Sequence, residues 1–238
     1  MRLHLLGING PFPSSSGATS GYLVEAGDSL FQMDLGSGVL GRLTAICPPE
    51  DLTALLITHW HFDHTADLLP LIYRLQAIGA VLPLYAPADA SSALRKIAEE
   101  SGVFRLTDVA PGDVLRFGQT EVRIAAARHP VPAVGFRVTA EGRSFGYTGD
   151  TNTLPSLAED YRGCDLLLAD GPFPADVWQE TKPHLSAALA AGVAKEAGVK
   201  RLVLTHLNPA IPSAVLLREA RDIFPAAATA SVVSDWTV

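Results

Sequence analysis

Thr58-His59-Trp60-His61-Phe62-Asp63-His64 is the stretch on which the reading of this chain turns. Four potential ligands, His59, His61, Asp63 and His64, fall within six residues. They follow Thr53-Ala54-Leu55-Leu56-Ile57-Thr58, a continuous apolar run between polar ends that predicts a strand buried on both faces. In an extended segment residues two apart point the same way, so His59 and His61 converge on one ion. After the chain turns, Asp63 and His64 face a second ion beside it. Imidazole nitrogen and carboxylate oxygen suit zinc, iron or manganese, and two such ions roughly 3.5–4 Å apart can clamp an attacking hydroxide. Singly, each histidine reads as a surface or core residue and Asp63 as a helix N-cap. Together, four such groups at one strand end repel one another and are costly to bury without a cation.

Outward from this cluster, Thr65 to Ile78 carries Leu68, Leu69, Leu71, Ile72 and Leu75 at helical spacing, with Pro70 tolerated in the first turn. The ligand cluster therefore sits between a strand end and a helix start. Strands are expected over 2–8, 21–26 and 29–34 before it, with a Gly/Pro/Ser-rich loop over 9–17 that could border a site. After it come a strand over 81–85, a helix over 88–101, and a meander of strands over 114–117, 121–127, 135–139 and 144–147. A helix over 153–161, a buried strand over 165–169, and a helix over 186–197 with Gly198 as C-cap follow. A buried strand over 201–205, a helix over 213–223 and a last strand over 231–234 complete the pattern. Two sheets with helices outside, in a single domain over residues 1–238, is the expectation.

The segment His59 to His64 resembles the His-x-His-x-Asp-His signature of the metallo-β-lactamase superfamily. Other segments fit the same resemblance: His129 ends a predicted strand, Asp150 lies in Tyr147-Thr148-Gly149-Asp150-Thr151, and His206 ends Val203-Leu204-Thr205. The resemblance implies an α+β fold, the four-layer αββα sandwich of that family. It further implies that His59, His61 and His129 hold one divalent transition metal, that Asp63, His64 and His206 hold another, and that Asp150 bridges both. Zinc is the expected ion, with manganese or iron as alternatives. Asp63 is also a candidate to shuttle a proton, and Asp34 in Asp34-Leu35-Gly36 is either support for a ligand histidine or a turn residue.

Pro183-His184-Leu185-Ser186 resembles a segment of the ribonuclease Z-like and related phosphodiesterase members, in which the histidine neutralises the scissile phosphate or protonates the leaving oxygen. His184 is thus the second catalytic candidate beside Asp63. The transfer-RNA-processing members carry a long basic arm, whereas Gly171 to Lys182 is short and nearly neutral here. A small phosphodiester, a cyclic nucleotide or an oligonucleotide, is the expected substrate. A lactonase or other acyl hydrolase on the same dinuclear centre is the alternative, and a non-catalytic metal-binding protein the third reading. Phe12, Phe62, Phe173 and Trp178 fall in loops near the motifs, as walls for a base or acyl chain or as ordinary core or rim aromatics. His4, alone in the first strand, reads as structural.

Composition sets the outer bounds. The 238 residues are 48% hydrophobic, enough for one large core. A net charge of -7 disfavours long nucleic acids, and no basic patch stands out in the sequence. Cys47 and Cys164 are too few and too far apart for a disulfide framework and read as buried apolar residues. Met1 to Gly10 has no cleavage-site pattern and no apolar run reaches membrane-span length, so a cytoplasmic protein acting on a small molecule is expected, with a homodimer compatible with the resemblance.

Overall fold

The computed structural model describes residues 1–15, 17–231 and 235–238. The first sheet is built from β1 (Arg2–Gly7), β2 (Gly21–Ala26), β3 (Ser29–Met33), β4 (Ala54–Leu56), β5 (Leu82–Ala86) and β6 (Phe104–Asp108), which neighbour one another in that order. The second runs β7 (Val114–Phe117), β8 (Thr120–Ala126), β9 (Val134–Ala140), β10 (Arg143–Tyr147), β11 (Leu166–Asp170), β12 (Leu202–Thr205) and β13 (Ala227–Thr229). The chain returns to the first sheet as β14 (Asp235–Thr237), antiparallel to β1 with His4 opposite Asp235. Each sheet opens antiparallel and ends in parallel strands, β3 to β6 in one and β10 to β13 in the other. The expected meander is β7 to β10.

Helices α1 (Val39–Leu43), α2 (Phe62–Thr65), α3 (Leu68–Ile78) and α4 (Ala93–Glu100) accompany the first sheet; α5 (Leu157–Asp160), α6 (Ala187–Ala197) and α7 (Ser213–Ile223) the second. Side-chain alternation divides the core into layers. Tyr22 and Val24 on β2 point between the sheets, where they join Phe31, Phe136, Phe145 and Leu168. Leu23 points outward to Leu43, Leu71 and Leu75 on the helices. On the far side Leu167, Leu202 and Leu204 meet Ala187, Ala190, Ala191 and Ala194 of α6. That alanine face follows the i, i+3, i+4, i+7 spacing, while Ser186 caps the Leu189 N–H and Gly198 closes the helix at φ 64°. The αββα sandwich is thus formed. Strands β4, β11 and β12 are buried along their whole length, which is why they read as unbroken apolar runs.

Several boundaries differ from expectation. The helix over 88–101 begins only at Ala93, because the Asp89 carboxylate accepts Ser91 N–H and O–H in a local turn and Ser92 caps Arg95 N–H. The helix over 65–78 starts at Leu68, and that over 153–161 shrinks to Leu157–Asp160. Strand β6 went unforeseen: it pairs with β5 at the edge of the sheet, and its alternation is short, with only Phe104 and Leu106 turned to the core between exposed Arg105 and Thr107. The strand over 231–234 falls, after Ser231, outside the described residues. Cys164 is buried as expected, but Cys47 is only half-buried. Among the described residues no helix is long and apolar enough to cross a membrane.

Candidate metal centre

The carboxyl ends of the parallel strands meet at one edge of the sandwich and carry most of the polar cluster. Past β3 comes Asp34, past β4 Thr58 and His59, past β10 Asp150, at the end of β11 Asp170, and past β12 His206. The β8–β9 loop supplies His129 and the α6 approach His184. His61 is extended (φ -66°, ψ 152°) and precedes α2, whose first turn holds Asp63 and His64. The two-residue alternation expected of His59 and His61 is therefore present, followed by the expected turn.

Three imidazoles converge: His61 Nδ1 lies 3.0 Å from His59 Nε2 and 3.1 Å from His129 Nε2. One nitrogen cannot serve as hydrogen-bond partner to both neighbours in every tautomer, but ligands about 2.0–2.1 Å from a tetrahedral zinc ion stand at about this mutual spacing. His129 Nδ1 lies 3.2 Å from the Pro183 carbonyl, a placement that protonates Nδ1 and leaves Nε2 as a lone-pair donor.

The second group is Asp63, His64, Asp150 and His206, whose ligand atoms all lie within 4.8 Å of one another. Asp63 Oδ2 is 3.1 Å from His206 Nε2 and 3.6 Å from His64 Nε2. Asp150 reaches both groups: Oδ1 is 3.3 Å from His64 Nε2, and Oδ2 is 3.4 Å from His206 Nε2 and 3.7 Å from His59 Nε2. Buried His64 Nε2 and Asp150 Oδ1 have no hydrogen-bond partner among the described residues. Leaving each so costs about 1–3 kcal/mol, and a cation between them removes the cost. The donor set and these orphaned atoms fit divalent metal ions.

Electrostatics agree with the division. Burial, joined by the neighbouring imidazoles, holds His59 well below the usual histidine range; burial likewise lowers His61 and His129, so all three are in the neutral, ligating form. Burial acts the same way on His64, but Asp150, Asp34 and Asp63 outweigh it and raise it well above the usual range. Three carboxylates around one imidazole mark a place that calls for positive charge. Burial would raise Asp63 and Asp150, yet the histidines facing them, His64 and His206, keep both carboxyls below the ordinary range and ionised.

Around the candidate ligands lies a layer that holds them. The Asp34 carboxylate accepts Thr58 N–H at 2.8 Å and, through Oδ2, His64 Nδ1–H at 2.8 Å and the Tyr147 hydroxyl at 2.7 Å. The structure thus sets Asp34 against His64, the contact that support of a ligand histidine would require. Tyr147 stacks edge-on against Tyr22, whose hydroxyl meets Thr205 beside His206. Gly10 has no Cβ because one would stand 2.0 Å from His206 Nε2. Gly149 (φ 58°) turns the chain into Asp150 where a Cβ would strike the Val134 carbonyl at 2.8 Å.

The sequence reading missed Asp170. Its Oδ2 accepts His184 Nδ1–H at 2.9 Å and Thr151 N–H at 3.1 Å, while Oδ1 stands 3.7 Å from His206 Nδ1. Its one signal was position, a carboxylate closing the buried run Leu166-Leu167-Leu168-Ala169, as Asp34 follows β3. His184 lies against the cluster, with its ring 4.8 Å from that of His206 and 5.5 Å from that of His129. Trp178 donates its indole N–H to the His184 carbonyl and Phe173 lies 5.9 Å from the His184 ring, whereas Phe12 and Phe62 are exposed. His4 is remote from the site, bridging Glu25 and Asp235.

Residues 16–207 match the Beta-lactamase superfamily domain. The chain is 31% identical over 231 residues to the probable metallo-hydrolase YhfI of Bacillus subtilis (strain 168), covering 94% of each chain. The crystal structure of YhfI superposes with a TM-score of 0.91 over 99% of this chain and 98% of that one. A protein named ribonuclease Z from Methanopyrus kandleri is 29% identical, with 94% of this chain and 92% of that one covered. The short form of human tRNase Z shares the fold at 19% identity, with a TM-score of 0.81 over 100% of this chain and 99% of that one. With its histidine–aspartate cluster at one edge of this sandwich, the chain belongs to the β-lactamase superfamily and is a metal-dependent hydrolase.

Proposed function

We propose that the chain is a phosphodiesterase acting on a small phosphodiester with two divalent metal ions, zinc first among zinc, manganese and iron. His59, His61 and His129 would hold one ion and Asp63, His64 and His206 the other, with Asp150 shared. Bound there, the pair would make hydroxide from water near neutral pH and offset charge on the attacked centre. The observation that carries the choice of substrate is the His184–Asp170 pair beside this cluster. Burial works against a charged imidazole, but Asp170 and Asp150 outweigh it and push His184 up to about 9. At neutral pH His184 is then a cation whose Nδ1–H is committed to Asp170, leaving Nε2–H to meet a phosphate oxygen or protonate the departing alkoxide. Asp63, held ionised, is the group to accept the proton of the attacking water. An acyl hydrolase has less use for a fixed cation at this position, and the relative named ribonuclease Z points to the same bond class.

The test is a substrate panel on zinc-loaded protein: bis(p-nitrophenyl) phosphate, a lactone and a β-lactam. Phosphodiester turnover is expected; turnover of lactones with none of the phosphodiester would replace this reading by the acyl-hydrolase one.

A further inference from the structure

The segment that carries Asp150 also fixes two distant cation-bearing segments beside it. Thr151 Oγ1 accepts Arg128 N–H, and Asn152 N–H donates to the Arg128 carbonyl, both at 2.9 Å. The side chain of buried Asn152 donates to the carbonyls of Glu180, at 3.0 Å, and Lys182. Between the two segments opens a pocket of about 330 Å³ whose lining includes Arg128, His129, Asn152, Glu180, Lys182 and Pro183. His129 belongs both to this pocket and to the three-histidine group, so the pocket adjoins the metal centre.

The cations here are weakly compensated. The Lys182 ammonium lies 5.0 Å over the Phe173 ring and has no carboxylate at ion-pair distance among the described residues. Arg128 donates through Nη2 to the Glu180 carbonyl at 3.4 Å and meets the Glu180 carboxylate loosely, at 3.9 Å, with both side chains exposed, an arrangement that contributes little and leaves guanidinium N–H groups for a better anion. In a chain of net charge -7, an arginine fork and a lysine point charge stand together, backbone-anchored, at the rim of the one site read as taking a phosphate.

We propose that this pocket is a second anion subsite, which takes a phosphate of the substrate other than the one being cleaved. The substrate class, which rests on the phosphodiesterase reading, is then a phosphodiester bearing a further terminal phosphate, such as a short phosphorylated oligonucleotide. A cyclic mononucleotide, whose single phosphate would be engaged at the metals, leaves the subsite empty.

The experiment is calorimetric titration of the full metal-loaded chain with adenosine 3′,5′-bisphosphate and with each of the two adenosine monophosphates. Charge-assisted hydrogen bonds to one added phosphate predict about tenfold to hundredfold tighter binding of the bisphosphate than of either monophosphate. Arg128→Ala/Lys182→Ala should abolish that gain, and Arg128→Lys/Lys182→Arg should retain most of it, with metal content and melting temperature as folding controls. No gain in the unsubstituted chain, or a gain that survives the double alanine substitution, overturns the proposal. Turnover of bis(p-nitrophenyl) phosphate is scored separately. A chain that hydrolyses it without a bisphosphate gain loses the subsite alone; one that shows the Arg128- and Lys182-dependent gain but cleaves no phosphodiester keeps the subsite and loses the reaction.

Discussion

Asp34→Asn is the sharpest perturbation of the metal centre, because it changes one buried atom and no volume. Thr58 N–H donates to Asp34 Oδ1 at 2.8 Å and can only donate, so the amide oxygen of asparagine must take that position. The amide NH2 then occupies the place of Oδ2, facing His64 Nδ1 at 2.8 Å and the Tyr147 hydroxyl at 2.7 Å. Tyr147 can rotate its proton and accept. His64 can accept only by moving its proton to Nε2, the nitrogen that faces Asp150 at 3.3 Å and would ligate the metal. Flipping the amide back restores His64 but sets an NH2 against Thr58 N–H, a buried donor without acceptor costing about 1–3 kcal/mol. Either way the cost falls on metal binding, about tenfold to hundredfold in affinity, as for other partners of ligand histidines. Competition against a chromogenic chelator measures this, and imidazole nitrogen shifts report the tautomer. Unchanged affinity in Asp34→Asn, with His64 still protonated on Nδ1, would refute the reasoning.

Asp150→Ala should lower metal content and abolish turnover, whereas His184→Ala should keep the metal and slow phosphodiester cleavage about 10²- to 10⁴-fold; equal metal loss in both, by elemental analysis, would place His184 among the ligands. Gly10→Ala should reduce metal content, because its Cβ would stand 2.0 Å from His206 Nε2, and a fully loaded variant would show that the loop yields instead. Away from the centre, burial raises the Asp165 carboxyl, but Lys200 at 2.6 Å, Ser144 N–H at 2.8 Å and Arg143 outweigh burial and hold it at about 2, below its ordinary 3.8. A depressed carboxyl stabilises the fold above its unfolded value and loses that contribution as pH falls through its folded value. Because Lys200 and Arg143 are more than half exposed and screened by solvent, urea unfolding should show Asp165→Asn weaker by about 1 kcal/mol near pH 6, with the difference vanishing toward pH 2; a difference that does not shrink with acid assigns the loss to packing.

The candidate ligand motif was legible because its geometry is local. Period-two alternation brings His59 to His61, and the helix start at Phe62 puts the consecutive Asp63 and His64 in one turn beside them, with no knowledge of the fold required. The strands flanking it were legible for a related reason: β4, β11 and β12 are buried on both faces, so apolar runs mark them without regard to neighbours. Where structure depended on what lies alongside, the signal failed. Strand β6 has only two apolar residues, Phe104 and Leu106, in alternation, too short a pattern to mark a strand until the edge of β5 is there to pair with it.

Asp170 shows the same limit at the site. Its meaning comes from the parallel pairing of β11 with β12, which sets Asp170 opposite Thr205, one residue before His206, while the start of α6 brings in His184. Neither relation is visible along the sequence. The three buried aspartates at the centre do share one sequence-level trait: Asp34 and Asp150 closely follow β3 and β10, and Asp170 closes β11. A carboxylate at the carboxyl end of an apolar strand is costly to bury unless donors or cations await it. The parallel strands of this sandwich end at a common edge, and it is this pairing that gathers all three into one cluster. Arg128 and Lys182 have no such mark, since each is one charge in an acidic chain; only the hydrogen bonds of Thr151 and Asn152, immediately after Asp150, turn two scattered cations into a pair.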